Sequence, residues 1–575
     1  MYRQILDPVA GSLGWSSVVA AIPLLTLFVL LGIVRMTAWL ASLISLVVAL
    51  VIAVFVYPMP AGAAVLAATE GAAFGFFPIL WIVLSAIWIY NMTVQTGHFD
   101  VLRRSFGRIS DDQRIQGVII AFSFGALLEA LAGFGTPVAI TSVMLIALGF
   151  RPFKAAMVAL VANTAPVAFG ALAVPITTLA TVTNIPLSHL SAMVGRQTPL
   201  LGVFVPLALV FIIDGKRGVR QTWPGAIVCG VVFAVAQFAV SNYLSAPLTD
   251  IVASLLSAGA MVLFLRVWQP VEGYTESGPE DAAETGSGSA AASVAGASGQ
   301  ATATIPRQGP GGRHSAASGA PGGGEEERDS SAEVWRAYAP YLIIIAVFAL
   351  AQIPAIMHVL TSVTKSFNWP GLHILSASGK PSTVSVFKLD WLDAAGTLLI
   401  IAGLLTIPVI GIRPGKALRA YLGTYRQLAL AIVTVMAVLG LAYVMNASGQ
   451  TATLGTGLAA AGGIFALISP VLGWIGVAVT GSDTSSNSLF GALQVVAAQK
   501  IGLSTTLMAA ANSSGGVLGK MISPQNLAIA AAAVGMSGRE GDLFRRVFLW
   551  SLLFVAVMCV VVFLQSTPLL SWMVP

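Results

Sequence analysis

The sequence predicts an all-α polytopic membrane protein, and three observations lead to this prediction. Of the 575 residues, 57% are hydrophobic and only 9% are charged, whereas a soluble domain carries roughly 25% charged residues. Several charge-free apolar segments reach or approach roughly the 20 residues that a membrane-spanning helix needs. A polar, glycine-broken motif occurs twice within this apolar sequence. Together they predict about 12–16 transmembrane or re-entrant helices, arranged as two inverted repeats with broken helices near the bilayer midplane.

The apolar segments occur in both halves of the chain. In the first half they span residues 18–34, 37–56, 79–90, 200–213, 225–240 and 251–265. In the second half they span residues 339–353, 394–410, 428–445 and 547–564. No small-residue cleavage site follows the start of the chain, so we expect the first segment to be a retained helix and not a signal peptide. Glycine-broken segments around the two motifs add further helices.

A low-complexity stretch divides the chain into two membrane-embedded halves, residues 1–270 and residues 334–575. Residues 271–333 between them are rich in Gly, Ser, Ala, Pro and Glu. This composition buries too little apolar area to offset the entropy of ordering, so we expect a disordered cytoplasmic linker. Residues 366–389 are a second insert, whose composition predicts turns and a short strand on one face of the membrane.

The net charge of +6 comes from basic residues near the ends of apolar segments. Because positive charge marks cytoplasmic loops, these clusters are candidate cytoplasmic segments. Their scatter does not indicate a nucleic-acid partner. The clusters are Arg103, Arg104, Arg108 and Arg114; Arg151 and Lys154; Lys216, Arg217 and Arg220; Arg413, Lys416, Arg419 and Arg426; and Arg539, Arg545 and Arg546.

The first motif, within residues 125–175, reads Glu129-Ala-Leu-Ala-Gly133-Phe-Gly135-Thr136-Pro137 and is followed by Asn163-Thr164-Ala-Pro. Two apolar segments flank its glycines, which predicts two half-helices or a re-entrant hairpin. Such a break frees N–H groups at the start of the next half-helix, where proline fits the first turn. These donors and the helix dipole attract a carboxylate.

The second motif, within residues 480–526, reads Thr480-Gly-Ser482-Asp483-Thr484-Ser-Ser-Asn487 and is followed by Asn512-Ser-Ser-Gly-Gly. Thr136 and Asn163 are 27 positions apart, and Thr484 and Asn512 are 28 apart, so we expect a second Asn-containing break at Asn512. Small residues at these places can also serve only to bring helices close together. The acidic and amide residues beside them favour a binding site near the midplane.

Glu129 and Asp483 are carboxylates within apolar sequence. Such residues usually face a cavity or serve an ion or proton path, and low dielectric favours the protonated form of a carboxyl group. The alternative is structural pairing with a buried cation, either Lys520 or Arg196. Both cations are also candidates to pair with an anionic substrate, although Arg196 could equally lie at the membrane interface.

Other chemistries lack the residues they require. The segment before Lys520 resembles a phosphate loop, but Ser514 and Met521 stand where that loop needs glycine and Ser or Thr. The five histidines and two cysteines lack the spacing of a metal or disulfide site. Neither a nucleophile elbow nor a cofactor loop is present, so we predict no enzyme activity, no metal and no cofactor.

At these motifs the chain resembles the L-lactate permease family of bacterial monocarboxylate/proton symporters. The similarity runs from Asp7 to Pro575, with the linker as the main departure. The resemblance implies uptake of L-lactate, D-lactate and glycolate with a co-transported proton, in the cytoplasmic membrane. The matching stretches are Gly125-Ala-Leu-Leu-Glu-Ala-Leu-Ala-Gly-Phe-Gly-Thr-Pro, Asn163-Thr-Ala-Pro-Val-Ala-Phe-Gly-Ala, Val194-Gly-Arg-Gln, Thr480-Gly-Ser-Asp-Thr-Ser-Ser-Asn and Gly515-Gly-Val-Leu-Gly-Lys-Met-Ile-Ser-Pro-Gln.

We therefore expect a multi-pass transporter in the lipid bilayer that binds a small monocarboxylate and a proton. Glu129 or Asp483 carries the proton, and both remain candidates. Rocking and elevator-like motion are both compatible with the sequence, which predicts no particular oligomeric state. A sodium-coupled or differently selective carboxylate carrier remains the nearer alternative, and an anion channel the farther one. The residues expected to bind substrate are Gly133, Gly135, Thr136, Asn163, Thr164, Arg196, Ser482, Thr484, Asn487, Asn512 and Lys520.

Overall fold

A computed structural model shows that the residues it describes are helical almost throughout. The structure describes residues 1–575 except 108, 111, 132, 134, 276–328, 352, 378 and 380–384. Most of the expected disordered linker therefore lies outside the described residues, and the division into two halves stays a prediction.

The first half contains thirteen α-helices among its described residues. Segments of π-helix extend α1 (Val29–Ile33), join α3 to α4 (Gly75–Leu80) and join α6 to α7 (Val118–Phe124). The helices are α1 (Leu13–Phe28), α2 (Ala38–Phe55), α3 (Ala61–Phe74), α4 (Trp81–Gln95), α5 (His98–Gly107), α6 (Gln113–Gly117), α7 (Gly125–Leu131), α8 (Thr136–Ala147), α9 (Pro152–Ala162), α10 (Gly170–Thr183), α11 (Leu187–Val194), α12 (Thr198–Tyr243) and α13 (Thr249–Phe264).

The second half adds eleven α-helices. They are α14 (Ser331–Ala351), α15 (Pro354–Thr361), α16 (Ala395–Val409), α17 (Pro414–Gln427), α18 (Ala429–Ser448), α19 (Gln450–Leu458), α20 (Phe465–Thr480), α21 (Asp483–Ile501), α22 (Thr505–Gly519), α23 (Pro524–Ala533) and α24 (Glu540–Gln565). Short 3₁₀ turns occupy Val167–Phe169, Ala246–Leu248, Ala459–Ile464, Lys520–Ile522 and Ser571–Met573.

The insert predicted at 366–389 forms the only strands that the described residues contain besides the N-terminus. Strand β2 (Lys365–Asn368) pairs antiparallel with β4 (Val386–Leu389), and β1 (Tyr2–Arg3) pairs parallel with β3 (Ile374–Leu375). The Tyr2 hydroxyl donates to the backbone oxygens of Tyr57 and Ser448. The insert and the start of the chain therefore lie together at one end of the helical bundle.

Ten helices in the described part of the chain are long and apolar enough to cross a membrane. In addition, Pro152–Ala162 and Val167–Thr183 pass this test together but are bent by 68° at the break between them. The prediction of an all-α polytopic membrane protein is thus confirmed, whereas the inverted repeats stay a prediction. The segments predicted at 200–213 and 225–240 belong to one long helix, α12, which changes direction at Asp214 and Gly215.

Basic clusters of the first half lie together at one end of the bundle, because hydrogen bonds link their segments to one another. Gln113 donates to the oxygen of Leu148 (2.8 Å), and Lys154 donates to the oxygen of Ile213 (2.8 Å). Arg104 bonds both oxygens of Asp329. By the excess of positive charge, we expect this end to be the cytoplasmic one.

Arg114 ties the cytoplasmic segments together. Its side chain is fully buried and bonds Asp112 (2.7 Å), Asp214 (3.0 Å) and the backbone oxygen of Glu272 (2.6 Å). It also donates to Gln221 Oε1. One guanidinium therefore joins the start of α6 to the bend of α12 and to the first residues of the predicted linker.

Replacing Arg114 by leucine should destabilise the fold strongly. The substitution leaves the buried Asp112 and the half-buried Asp214 without their cation, and breaking a buried pair in this way costs about 3–5 kcal/mol. We expect a clearly lower thermal unfolding midpoint for the detergent-solubilised protein. Arg103→Ala is the matched control, since its side chain is 45% exposed and lies 3.8 Å from Asp100. Equal midpoints for the two variants would contradict this role of Arg114.

Candidate functional site

The first motif forms a helical hairpin whose tip lies at its glycines. Helices α7 and α8 run antiparallel: Gly125 lies beside Thr141, and Gln113 reaches Leu148 at the open end. At the tip, Gly133 has φ +53° and Gly135 has φ +82°. Only glycine adopts this left-handed region readily, so these glycines are required for the reversal. Of the two arrangements that the motif predicted, the structure therefore has the hairpin.

The second motif also forms a hairpin, made by α20 and α21. Ser486 donates to the oxygen of Gly473 (3.1 Å), and Ser469 donates to Gln494 (2.6 Å), so the two helices run antiparallel. Gly481 reverses the chain with φ +75°. Ser482 then caps α21 by accepting a hydrogen bond from the backbone N–H of Ser485 (3.2 Å).

The expected break at Asn512 is wrong, because Asn512 lies inside the continuous helix α22. Its amide donates to Asn487 Oδ1 (2.9 Å) and its oxygen accepts from Gln494 (3.1 Å). Gly515 lies directly against the backbone of Pro470. The small residues here allow close packing of α22 on α20. The chain breaks instead at Lys520–Ile522, between α22 and α23.

Helix α23 brings the two hairpin tips to one place. The Gly135 backbone lies against Asn526 and Ile529, and the Gly481 backbone lies against Gln525. Ser523 caps α23 by accepting from the N–H of Asn526 (3.3 Å). The N-termini of α8, α21 and α23 therefore converge. Such termini carry unpaired N–H groups and a positive dipole end, which favour a bound anion.

The polar side chains at this convergence are only partly covered. Thr136, Ser482 and Thr484 are half-buried, and Gln525 is exposed. The structure thus brings together the hydroxyl groups that the two motifs predicted for substrate binding. Asn526, which sequence reasoning missed, belongs to the same place: its amide donates to the oxygen of Lys520 (3.1 Å).

Glu129 and Lys520 form a buried ion pair. Lys520 Nζ donates to Glu129 Oε1 at 2.5 Å, and the two side chains are 7% and 3% exposed. The other carboxylate oxygen, Oε2, has no hydrogen-bond partner among the described residues. Of the two pairings considered from the sequence, Glu129 therefore takes Lys520. The backbone of Gly170 lies against this carboxylate: a Cβ there would be 2.7 Å from Oε1.

Asp483 is held by neighbours of the second motif. Its Oδ2 accepts from Ser513 (2.5 Å) and from Asn487 (3.3 Å), and Oδ1 has no partner within the described chain. The charge of Lys520 also acts on this carboxyl group. Asn487 donates further to the oxygen of Pro175 in α10 (3.1 Å). Asn487 and Asn512 thus join α21, α22 and α10 around Asp483.

Asn163 ends α9 at the bend before α10. It is only 4% exposed, yet neither its amide nitrogen nor its oxygen has a partner in the part of the chain that is described. Thr164 instead bonds its own helix, through the oxygen of Val161 (2.7 Å). After the bend, Ala171 to Ala173 all have positive φ (43°, 56° and 60°). Strain of this kind concentrates at functional sites.

Arg196 has other partners. It donates to Asn242 Oδ1 (2.9 Å) and to the oxygen of Met573 (2.9 Å). Both partners stand at the ends of helices remote in sequence from the two motifs. A part for Arg196 in substrate binding stays a prediction that the observed contacts do not support.

Two further buried carboxyl groups were missed by sequence reasoning. Asp250 is fully buried; its Oδ1 accepts from Gln237 (2.8 Å), and the charge of Glu129 acts on it. Gln237 also reaches the oxygen of Ala165 (3.4 Å), in the bend after Asn163. Glu70 is fully buried in α3. The sequence signal that could have identified both groups was a single acidic residue beside or within an apolar segment.

The described residues contain no group of three or more His, Cys, Asp and Glu side chains that could hold a metal ion. The arrangement consists of one buried ion pair, a second buried carboxyl group, and helix N-termini with small hydroxyl and amide side chains. It can bind a small anion and exchange a proton.

Comparison with known proteins gives a match over nearly the whole chain. The sequence model of a family described as L-lactate permease matches residues 16–569. An L-lactate permease of Bacillus subtilis (strain 168) is 41% identical over 100% of both chains. A glycolate permease, GlcA of Escherichia coli (strain K12), is 42% identical over 98% of both chains.

The solved structures include distantly similar transporters. The crystal structure of the Alcanivorax borkumensis YdaH transporter is 14% identical to this chain, covers 86% of each chain and has a TM-score of 0.40. Nothing about the site follows from a likeness this weak.

Gly170→Ala should impair the site without a backbone penalty. The φ of Gly170 is −61°, which alanine adopts freely, but the added methyl group would press on Glu129. We expect the ratio of the maximal transport rate to KM to fall about tenfold or more, since small displacements of groups at a site can lower rates up to about 10²-fold. Gly202→Ala is the control, because its methyl group would make only ordinary contact with Phe233 (3.4 Å). Unchanged transport in folded Gly170→Ala would contradict the placement of Glu129.

Proposed function

We propose, because the chain belongs to the L-lactate permease family, that it is a secondary active transporter importing L-lactate with a proton across the cytoplasmic membrane. D-lactate and glycolate are expected as further substrates. The family match, the L-lactate and glycolate permeases among its relatives and the ten candidate membrane spans support this proposal. Proton coupling rests on the chemistry of the site.

The single observation that carries the coupling is the buried pair of Glu129 and Lys520. While Glu129 is charged, it occupies the lysine. A proton that binds Glu129 removes the negative charge and leaves the Lys520 ammonium without a counter-ion. The carboxylate of the substrate then takes that place. One proton and one anion are bound together, so the net charge of the site is unchanged.

This competition also prevents the proton or the substrate anion from being transported alone. A buried ammonium without a counter-ion is strongly unfavourable, so protonation without substrate is disfavoured. A substrate anion without a proton would place two carboxylates beside one lysine, and like charges repel. The coupled step is electroneutral, so the pH gradient drives it at about 1.4 kcal/mol per pH unit. The membrane potential, worth about 2.3 kcal/mol per charge per 100 mV, contributes nothing.

The remaining site residues suit a compact hydroxy acid. The converging helix N-termini at Gly135, Ser482 and Ser523 provide N–H donors for a carboxylate. The amide of Asn163, which lacks a protein partner among the described residues, can bond the substrate hydroxyl as donor or acceptor. Thr136 and Thr484 add hydroxyl groups at the accessible side. Gly133 lies beside Glu129 and has no side chain, so it leaves space next to the Glu129 carboxyl group for the substrate.

Asp483 is the second candidate for the proton. Unlike Glu129, it accepts two hydrogen bonds and forms no direct ion pair with a described residue. We assign it to holding the second hairpin tip at the site. Two inverted repeats, each a hairpin followed by a broken helix, would let this site face either side of the membrane by an elevator-like or rocking motion.

Transport by the reconstituted protein tests the function. With an inward proton gradient and no sodium, we expect labelled L-lactate to accumulate in proteoliposomes above its equilibrium level. A protonophore should abolish the accumulation, and excess glycolate should compete. Accumulation that follows a sodium gradient and ignores pH would contradict proton coupling, and current without accumulation would identify a channel.

Substitutions at the ion pair test the mechanism. Glu129→Gln should keep exchange of labelled for unlabelled L-lactate but lose accumulation driven by the pH gradient, because the site can no longer release a proton. Lys520→Gln should raise KM about 10- to 150-fold, as expected for loss of a hydrogen bond to a charged group. Lys388→Gln is the control, since this lysine forms an exposed pair with Asp390 (3.4 Å).

The phenotype of Asp483→Asn separates the two carboxyl groups. We expect it to weaken both exchange and accumulation through the hairpin tip. Exchange without accumulation in Asp483→Asn, together with normal accumulation in Glu129→Gln, would transfer the proton to Asp483 and refute the mechanism above.

A further inference from the structure

A cavity of about 620 Å³ opens at the cytoplasmic end of the bundle, outside the transport site. It lies between the start of α9, the first part of α12 and the start of α24. A second space of about 530 Å³ adjoins it and shares Phe153, Arg545 and Arg546 with it. The two spaces together form one groove.

The inner wall of the groove is apolar and open to the bilayer. It is formed by Met157, Phe211, Leu549, Trp550 and Leu553. Leu549 is 68% exposed and Leu553 is 53% exposed, and both lie on α24, a candidate membrane span. Because no water is available in the hydrocarbon region, an acyl chain is the natural occupant of such a wall. Trp550 packs edge-on against Phe211 (5.9 Å).

The mouth of the groove is strongly basic. Arg545 and Arg546 are exposed, and neither forms an ion pair with any residue that the structure describes. Lys154 stands at the rim, where its ammonium donates to the oxygen of Ile213 (2.8 Å). Among the described residues that line the mouth, the acidic one is Asp542, and it pairs with Arg539 (3.1 Å).

We propose that this groove binds an anionic phospholipid of the cytoplasmic leaflet. The phosphate lies at Arg545, Arg546 and Lys154, and an acyl chain follows the wall formed by Leu549 and Leu553. A free phosphate ion would use only the mouth and leave the wall uncovered. Basic pockets between membrane helices on the cytoplasmic side have the chemistry to hold such head groups.

The lipid would connect two elements that lead to the transport site. Helix α9 ends at Asn163, and α24 follows α23, whose N-terminus lies beside Lys520. A phospholipid seated between α9 and α24 would therefore stabilise their packing. The proposed lipid site does not depend on which substrate the protein transports.

Thermal unfolding of the purified full chain in detergent tests the proposal. Added phosphatidylglycerol should raise the unfolding midpoint, whereas phosphatidylcholine and inorganic phosphate should raise it little. In Arg545→Gln/Arg546→Gln, the affinity for phosphatidylglycerol should fall about 30-fold, as expected for two basic residues at the membrane surface. Native mass spectrometry should show a phosphatidylglycerol molecule retained by the original protein and lost in this variant.

Arg413→Gln/Arg419→Gln is the matched control, because both arginines are exposed, one directly before α17 and one within it. It should keep the response to phosphatidylglycerol. An equal response in both double variants would show a general effect of anionic lipid and overturn the site. An equal rise with inorganic phosphate would also overturn it, since the ligand would then be an anion without an acyl chain.

Discussion

The buried ion pair of Glu129 and Lys520 is the interaction on which the rest of the site depends. It joins residues 391 positions apart, one on the first hairpin and one at the break between α22 and α23. Two charges taken out of water are stable only when they compensate each other. Any process that neutralises one of them therefore changes what the other must bind. In the proposed mechanism, a proton that binds Glu129 therefore requires an anion at Lys520, and this requirement couples the two.

Close packing of helix backbones determines where that ion pair lies in the bundle. Gly473, Gly515 and Gly519 let α20 and α22 approach until backbone meets backbone, which fixes where Lys520 emerges. The glycines at the hairpin tips reverse the chain without side chains that would fill the site. Irregular backbone at this depth persists only where protein or a wet cavity covers it. The helix N-termini left at these reversals supply positive electrostatic potential without any added charged residue.

Much of this arrangement could be predicted from the sequence, because apolar length and glycine breaks are local signals. The ten apolar segments overlap observed helices, and the helix ends around Gly133 and Gly481 were expected from their motifs. The prediction of a break at Asn512 was wrong. Ser513 to Gly516 have the composition of a helix break, but the Asn512 amide is hydrogen-bonded within the bundle and the glycines allow close packing. Asp250 and Glu70 were missed, since an isolated acid shows its burial only after distant helices pack around it. Pairing of Glu129 with Lys520 was one of two open choices, because pairing across 391 positions is a tertiary property.

The most direct test of the account is the proton balance of substrate binding. Adding L-lactate to the detergent-solubilised protein in weak buffer near neutral pH should cause uptake of about one proton per bound anion, since coupling in the site requires both together. Glu129→Gln should bind L-lactate without taking up a proton, and Lys388→Gln should behave as the original protein does. Binding of L-lactate with no proton uptake by the original protein, or undiminished uptake by Glu129→Gln, would contradict the central claim.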